Sequence, residues 1–186
     1  STLAPRYWVV VPAAGAGRRM AGGAVPKQYL TLGGQTVIEH ALAPFLADPR
    51  CCGIIVALAP GDIRFATLAP AANGRVRCVV GGAERRDSVL AGLVALEGLA
   101  AADDWVLVHD AARPCLPAAD LERLLAALTE APDGALLALK VVDTLKRTDE
   151  EGRVASTVSR EGLWRAQTPQ AFRRESLLRA LTACPS

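Results

Sequence analysis

Continuous apolar runs of strand length recur along the chain, and they constrain the fold more than any other feature. Tyr7-Trp8-Val9-Val10-Val11 is the first and Ile54-Ile55-Val56-Ala57-Leu58 the second; Val76 to Val80 and Trp105-Val106-Leu107-Val108 follow. A strand that is apolar on both faces has to be covered on both. That places it in the middle of a parallel sheet.

The segments between these runs supply the cover. Thr36-x-x-Glu39 has the form of a capping box opening a helix through about Leu46, with Ile38, Leu42, Phe45 and Leu46 at helical spacing and Pro49 beyond its end. Val89, Leu90, Leu93 and Leu96 mark a second helix. Leu121, Leu124, Leu125 and Leu128 mark a third, ended by Pro132-Asp133-Gly134. Strand and helix alternating over short connections predict an α/β domain with a mostly parallel sheet.

After Gly134 the pattern changes. Ala135 to Leu139 reads as a further strand. Residues 141–160 then read as a hairpin with the polar turn Thr148-Asp149-Glu150-Glu151-Gly152. Too polar to fill a core, this hairpin is expected to be an exposed flap or an arm docking on a second subunit.

Composition narrows the function classes. The 186 residues suit one domain, read here as spanning 1–186. Hydrophobic residues make up 51% but aromatic ones only 4%, so the core is expected to be aliphatic. A formal net charge of +2 with scattered basic residues is too small to suggest a nucleic-acid-binding face, and no nucleic-acid partner is expected. No apolar run approaches the about 20 residues that span a bilayer. No signal-peptide pattern opens the chain, so a cytoplasmic location is expected. The five cysteines have neither disulfide-framework nor zinc-site spacing and read as small hydrophobes in a reducing compartment.

The loop after the first strand carries the most chemistry. Pro12-Ala13-Ala14-Gly15-Ala16-Gly17-Arg18-Arg19-Met20 follows that strand directly, at the sheet edge where open α/β folds bind ligands. Small residues let backbone N–H groups approach a phosphate. Arg18 and Arg19 add fork-shaped cationic donors, and Lys27 follows soon after. A dinucleotide-binding loop would need a third glycine where Met20 stands, and an acidic residue where Ala59-Pro60 ends the second strand. The Walker pattern is absent. What remains is a loop for a nucleoside triphosphate.

Five ordered motifs accompany it: Pro26-Lys27-Gln28-Tyr29, Gly81-Gly82-Ala83-Glu84-Arg85-Arg86-Asp87-Ser88-Val89, Val108-His109-Asp110-Ala111-Ala112-Arg113-Pro114, Asp143-Thr144-Leu145-Lys146 and Ala166-Gln167-Thr168-Pro169-Gln170. Together they resemble the 2-C-methyl-D-erythritol 4-phosphate cytidylyltransferases of the non-mevalonate isoprenoid pathway, along nearly the whole chain. The resemblance implies a Rossmann-like nucleotidyltransferase fold with a protruding β-hairpin arm. It also implies transfer of CMP from CTP to a polyol phosphate, with Mg²⁺ as cofactor.

It further implies site residues. Arg19 and Lys27 are the catalytic cations facing the α-phosphate. Pro12, Ala13, Ala14, Gly15, Gly17, Gly82, Ser88, Asp110 and Ala111 bind the nucleotide. Asp110, Arg113, Thr144, Arg160 and Thr168 bind the polyol phosphate. Asp110, at the end of a strand, is the Mg²⁺ ligand, in keeping with the preference of that ion for few protein carboxylates plus phosphates. Ser88 stands near the opening of its helix, so an N-cap role competes with a hydrogen bond to the cytosine edge. His109 reads as a structural neighbour. The arm is expected to reach a partner's site, making the protein a homodimer.

Two departures stand out. Ala83 occupies a position where relatives carry an acidic side chain. The family also continues past Ser186 with a second metal-binding aspartate and a substrate-binding lysine; without them activity is expected to be weak or absent. Three rival functions share parts of this pattern. Ribitol 5-phosphate cytidylyltransferase shares the glycine loop, and the arm together with the Arg160 to Trp164 stretch argues against it. A dinucleotide-dependent reductase lacks its third glycine and its acid. A non-catalytic nucleotide module has no use for Arg19, Lys27 and Asp110 together.

Overall fold

The computed structural model describes residues 5–15 and 25–183. Six strands form the main sheet: β1 (Tyr7–Ala13), β4 (Cys51–Leu58), β5 (Val76–Val80), β6 (Trp105–Val108), β7 (Ala135–Lys140) and β10 (Trp164–Arg173). Their order is β5-β4-β1-β6-β10-β7. β1 pairs in parallel with β4 and β6, and β4 with β5, whereas β10 runs antiparallel to both β6 and β7. Two short strands, β2 (Thr31–Leu32) and β3 (Gln35–Thr36), pair apart from it. So do β8 (Leu145–Thr148) and β9 (Val154–Val158), which form the arm.

The pleat explains the apolar runs. In β1 the side chains of Tyr7, Val9 and Val11 join one buried cluster and that of Val10 the other. On the first face lie helix α1 (Val37–Ala47), through Ile38, Leu42 and Phe45, and helix α3 (Ala118–Ala127), through Leu121, Leu124 and Leu125. On the second lie helix α2 (Arg85–Ala95), through Val89 and Leu93, and helix α4 (Arg174–Ala183), through Leu177, Leu178 and Leu181. The result is a helix–sheet–helix sandwich.

The capping box of α1 forms as read. Glu39 Oε2 accepts from the Thr36 backbone N–H at 2.8 Å, and Thr36 Oγ1 accepts from the Glu39 N–H at 3.4 Å. Other readings need correction. Val76 to Val80 is an edge strand, with Val80 65% exposed, rather than a mid-sheet strand. Within it Arg77 and Cys78 are both exposed. Cys78 and Cys115 are exposed thiols, whereas Cys51 is the buried apolar residue expected. β10 and α4 are additional to the elements that the sequence pattern predicts.

β1 sits at the point where chain order reverses, with β4 and β5 built on one side and β6 on the other. The loops leaving β1 and β6 therefore diverge and open a crevice at the carboxyl edge of the sheet.

Candidate active site

Three walls surround this crevice. The first is the end of β1, Pro12 to Gly15, where Ala13 is buried and Gly15 exposed. Lys27 opens a single 3₁₀ turn, Lys27–Tyr29, and is itself exposed. Its neighbours anchor it: buried Gln28 donates from Nε2 to the Ala13 carbonyl at 3.1 Å, and the Tyr29 hydroxyl donates to Asp62 Oδ2 at 2.7 Å. The turn holding the lysine is thus tied to the backbone of the loop it serves. Gly17 and Arg19 lie outside the described residues.

The second wall is the turn into α2. Gly81 N–H donates to the Leu58 carbonyl at 2.7 Å, fixing the turn to β4. Gly82 N–H donates to Ser88 Oγ at 3.2 Å. Ser88 is fully buried within the first turns of the helix, and the N-cap is Glu84, whose N–H donates to Asp87 Oδ2 at 3.2 Å. The N-cap reading of Ser88 is therefore wrong. The sequence misled because Asp87, not Ser88, closes the cap. The Ser88 hydroxyl instead supports the glycine turn from beneath.

The third wall is the loop after β6. Asp110 accepts from two guanidinium groups, Arg85 Nε on Oδ1 at 2.9 Å and Arg113 Nε on Oδ2 at 3.1 Å. Arg113 Nη1 also donates to Gln167 Oε1 at 2.7 Å. All three ion-paired side chains are partly exposed, so the pairs orient the carboxylate more than they stabilise the fold. Ala111 is buried beside it. Arg113 and Thr168 line a cavity of about 420 Å³ with His109 and Gln167, a volume within the range of small-molecule sites.

Behind Asp110, His109 is completely buried. Burial pushes its imidazole down to about 4, so it is neutral at physiological pH. Thr168, only 7% exposed, keeps its hydroxyl within 2.9 Å of His109 Nδ1 and accepts from the Asp110 N–H at 3.2 Å.

The structure therefore gathers Pro12 to Gly15, Lys27, Gly82, Ser88, Asp110, Ala111, Arg113 and Thr168 at one sheet edge. Thr144 and Arg160 do not join them within this chain. Both are exposed at the base of the arm, where Arg160 Nη1 donates to the Val142 carbonyl. Sequence reasoning assigned no role to Arg85, Gln28 or Gln167, although each lies inside a quoted motif. Among the described residues no cluster of three or more metal-ligating side chains occurs. A single carboxylate still suits Mg²⁺, because each oxygen of Asp110 keeps a lone pair beyond its arginine contact.

A comparison with protein families decides what this edge belongs to. The family model for IspD, 2-C-methyl-D-erythritol 4-phosphate cytidylyltransferase, matches residues 7–185. The chain belongs to this family. A 2-C-methyl-D-erythritol 4-phosphate cytidylyltransferase of Pseudomonas putida is 51% identical over 183 residues, covering 98% of this chain and 77% of that protein. One from Ectopseudomonas mendocina is 54% identical over 180 residues, 96% of this chain and 76% of its own. Among solved structures, a 4-diphosphocytidyl-2C-methyl-D-erythritol synthase superposes with a TM-score of 0.84 at 38% identity, over 98% of this chain and 81% of its own. The Francisella tularensis cytidylyltransferase gives 0.80 at 30% identity, over 96% and 77% respectively. The fold is thus the nucleotidyltransferase fold of this family, and the enzyme class is that of a CTP-using nucleotidyltransferase.

Proposed function

We propose that the chain transfers CMP from CTP to 2-C-methyl-D-erythritol 4-phosphate, giving 4-diphosphocytidyl-2-C-methyl-D-erythritol and pyrophosphate in the non-mevalonate isoprenoid pathway. The observation that carries this is the convergence of the Lys27 turn, the Gly81-Gly82 turn and Asp110 on one crevice of a chain belonging to this family. The ribitol 5-phosphate reading is not favoured, since the family match and the relatives bear the methylerythritol phosphate name.

A phosphate oxygen of the polyol attacks the α-phosphorus of CTP, and the bond from that phosphorus to the bridging oxygen of the β-phosphate breaks. Negative charge gathers on the α-phosphate oxygens as it does. Lys27, with Arg19, offers cationic donors to those oxygens. Pro12 to Gly15, Gly17, Gly82, Ser88 and Ala111 seat the nucleotide. Arg113 and Thr168 line the cavity that would receive the acceptor phosphate, where a guanidinium provides bidentate recognition. Asp110 would hold Mg²⁺, which when bound neutralises phosphate charge. Catalysis in this reading is positioning and electrostatics, with no covalent intermediate.

The arm belongs to the same proposal. Two-stranded hairpins are marginal alone, and this one leaves Val142 70%, Val154 63% and Trp164 55% exposed around it. Docking on a second copy would cover them and bring Thr144 and Arg160 to the partner's acceptor site. Light scattering is expected to give twice the chain mass; a monomer that is fully active would overturn the arm's role. The cytoplasm is proposed as the location. Among the described residues no helix is long and apolar enough to cross a membrane.

The deciding experiment is pyrophosphate release from CTP and Mg²⁺ by the protein with its natural C-terminus, with 2-C-methyl-D-erythritol 4-phosphate and ribitol 5-phosphate in parallel. Release only with the first is expected. Release only with the second would leave the fold and replace the acceptor.

A further inference from the structure

One fully buried polar side chain behind the crevice, His109, takes no part in the proposed chemistry. His109 has no exposed surface, and its ring stands edge-on to Phe45 with centroids 5.2 Å apart. Both nitrogens are engaged, Nε2 at 3.1 Å from the Arg113 carbonyl oxygen and Nδ1 at 2.9 Å from Thr168 Oγ1. A carbonyl only accepts, so Nε2 carries the proton. Nδ1 then accepts the Thr168 hydroxyl proton, and that hydroxyl accepts from the Asp110 N–H at 3.2 Å. A chain of three hydrogen bonds runs from the backbone of Asp110 to that of Arg113. The Arg113 N–H closes the loop on the Asp110 carbonyl at 3.1 Å.

We propose that His109 is a positioning residue for CMP transfer: through its two ring nitrogens it braces the Asp110–Arg113 loop against β10 and so sets the Asp110 carboxylate relative to the Arg113 guanidinium. The inference rests on the roles proposed for those two residues. The geometry favours a rigid ring for the task. Its nitrogens lie in one plane at fixed separation, Phe45 packs against the ring, and the His109 N–H donates to the Val10 carbonyl at 3.0 Å, tying the backbone that carries the ring to β1. The Gly81-Gly82 turn hangs from β4 instead and does not depend on this brace.

The test compares His109→Phe, His109→Gln and His109→Asn with the wild type, by melting temperature and by steady-state kinetics with CTP, Mg²⁺ and 2-C-methyl-D-erythritol 4-phosphate. Phe keeps the ring and its packing but loses both bonds. Gln returns a donor near the Nε2 position for the Arg113 carbonyl; Asn is too short to do so. His109→Phe is expected to lower kcat/KM for the polyol phosphate about tenfold or more, since misplacements near 1 Å cost at least that much, and to raise KM for CTP as well, because Asp110 and Ala111 ride on the same loop. His109→Gln is expected to recover most of the loss and His109→Asn little of it. Folded His109→Phe with wild-type kcat/KM, whatever its melting temperature, overturns the role. If His109→Phe does not fold, the Gln and Asn pair decides, and equal kinetics for the two overturn it. A wild type that carries its natural C-terminus and releases no pyrophosphate overturns the underlying reading and the inference with it.

Discussion

Gly81→Ala probes whether the nucleotide wall is as tightly set as the hydrogen bonds indicate. A Cβ at Gly81 would lie 2.6 Å from the Ala14 Cβ and 2.7 Å from Ser88 Oγ. Carbon atoms in contact rest at about 3.5–4.0 Å, so the walls would have to part by roughly 1 Å. Neither neighbour yields cheaply. Ser88 is fully buried and holds the Gly82 N–H, and Gly81 cannot retreat because its own N–H is fixed to the Leu58 carbonyl at 2.7 Å. Overpacking of this kind costs about 1–3 kcal/mol, which for a chain of this size lowers Tm by roughly 2–12 °C. The functional effect should exceed the thermal one, because Ala14 and Ser88 stand on opposite walls of the proposed CTP site. KM for CTP is expected to rise about tenfold or more. Gly74→Ala, whose Cβ would meet nothing within 4 Å, is the control for both readouts. Scanning calorimetry and CTP titration make the measurement. Wild-type KM for CTP in Gly81→Ala would show that the two walls are not the nucleotide's seat.

Lys27→Ala is expected to lower kcat about 10²–10³-fold, the typical loss of one oxyanion donor, with Tm unchanged because the side chain is exposed; unchanged turnover would remove Lys27 from the chemistry. Chelation of divalent cations is expected to abolish pyrophosphate release and added Mg²⁺ to restore it, with Asp110→Asn requiring more Mg²⁺ for half-maximal rate; equal Mg²⁺ dependence would exclude Asp110 as the ligand. Stability should fall in acid through His109. Its folded pKa is pushed down to about 4 by burial, so below the unfolded value of about 6.5 the unfolded chain takes up a proton that the folded chain refuses. The loss accumulates between about pH 6.5 and 4 and totals roughly 3 kcal/mol there. In denaturant titrations His109→Gln is expected to flatten that slope, and an identical slope would assign the acid sensitivity elsewhere.

The parts of the fold legible in the sequence were those whose burial leaves a periodic trace. β1, β4 and β6 are apolar on both faces because helices cover both, and α1 announces itself through the Thr36 and Glu39 pair. β5 was read as central because three of its five residues are valine, yet Arg77 marked it as an edge strand. β10 left no such trace: Trp-Arg-Ala-Gln-Thr-Pro-Gln-Ala-Phe-Arg has no period of two and contains a proline. α4 does leave a signal, in Leu177, Leu178 and Leu181 with Glu175 in its first turn, but it is short and follows directly on a strand that has none. At the site, residue types revealed Lys27 and Asp110 as charges beside small-residue loops. They did not reveal Arg85, because which of two adjacent arginines turns toward Asp110 is fixed by the helix: Arg86 points the other way, donating to the Leu181 carbonyl of α4 at 2.7 Å.

The strand that left no periodic trace is also the one that completes the third wall, and both facts have one cause. β10 pairs Gln170 with Val108, the last residue of β6, and runs the opposite way. The residues just before Gln170 therefore lie beyond the carboxyl end of β6, beside Asp110. Against β7, Ala166 pairs with Ala138 but Gln170 pairs with Leu136. Three residues on β10 thus face one on β7, a bulge that releases Gln167, Thr168 and Pro169 from the ladder. Released, Gln167 accepts from Arg113 and Thr168 reaches the Asp110 N–H and His109. A regular, alternating strand would have been easy to read, and it would have spent those residues on β7 instead of on the loop that carries Asp110 and Arg113. The same irregularity that hides β10 in the sequence is what connects the far half of the sheet to the crevice.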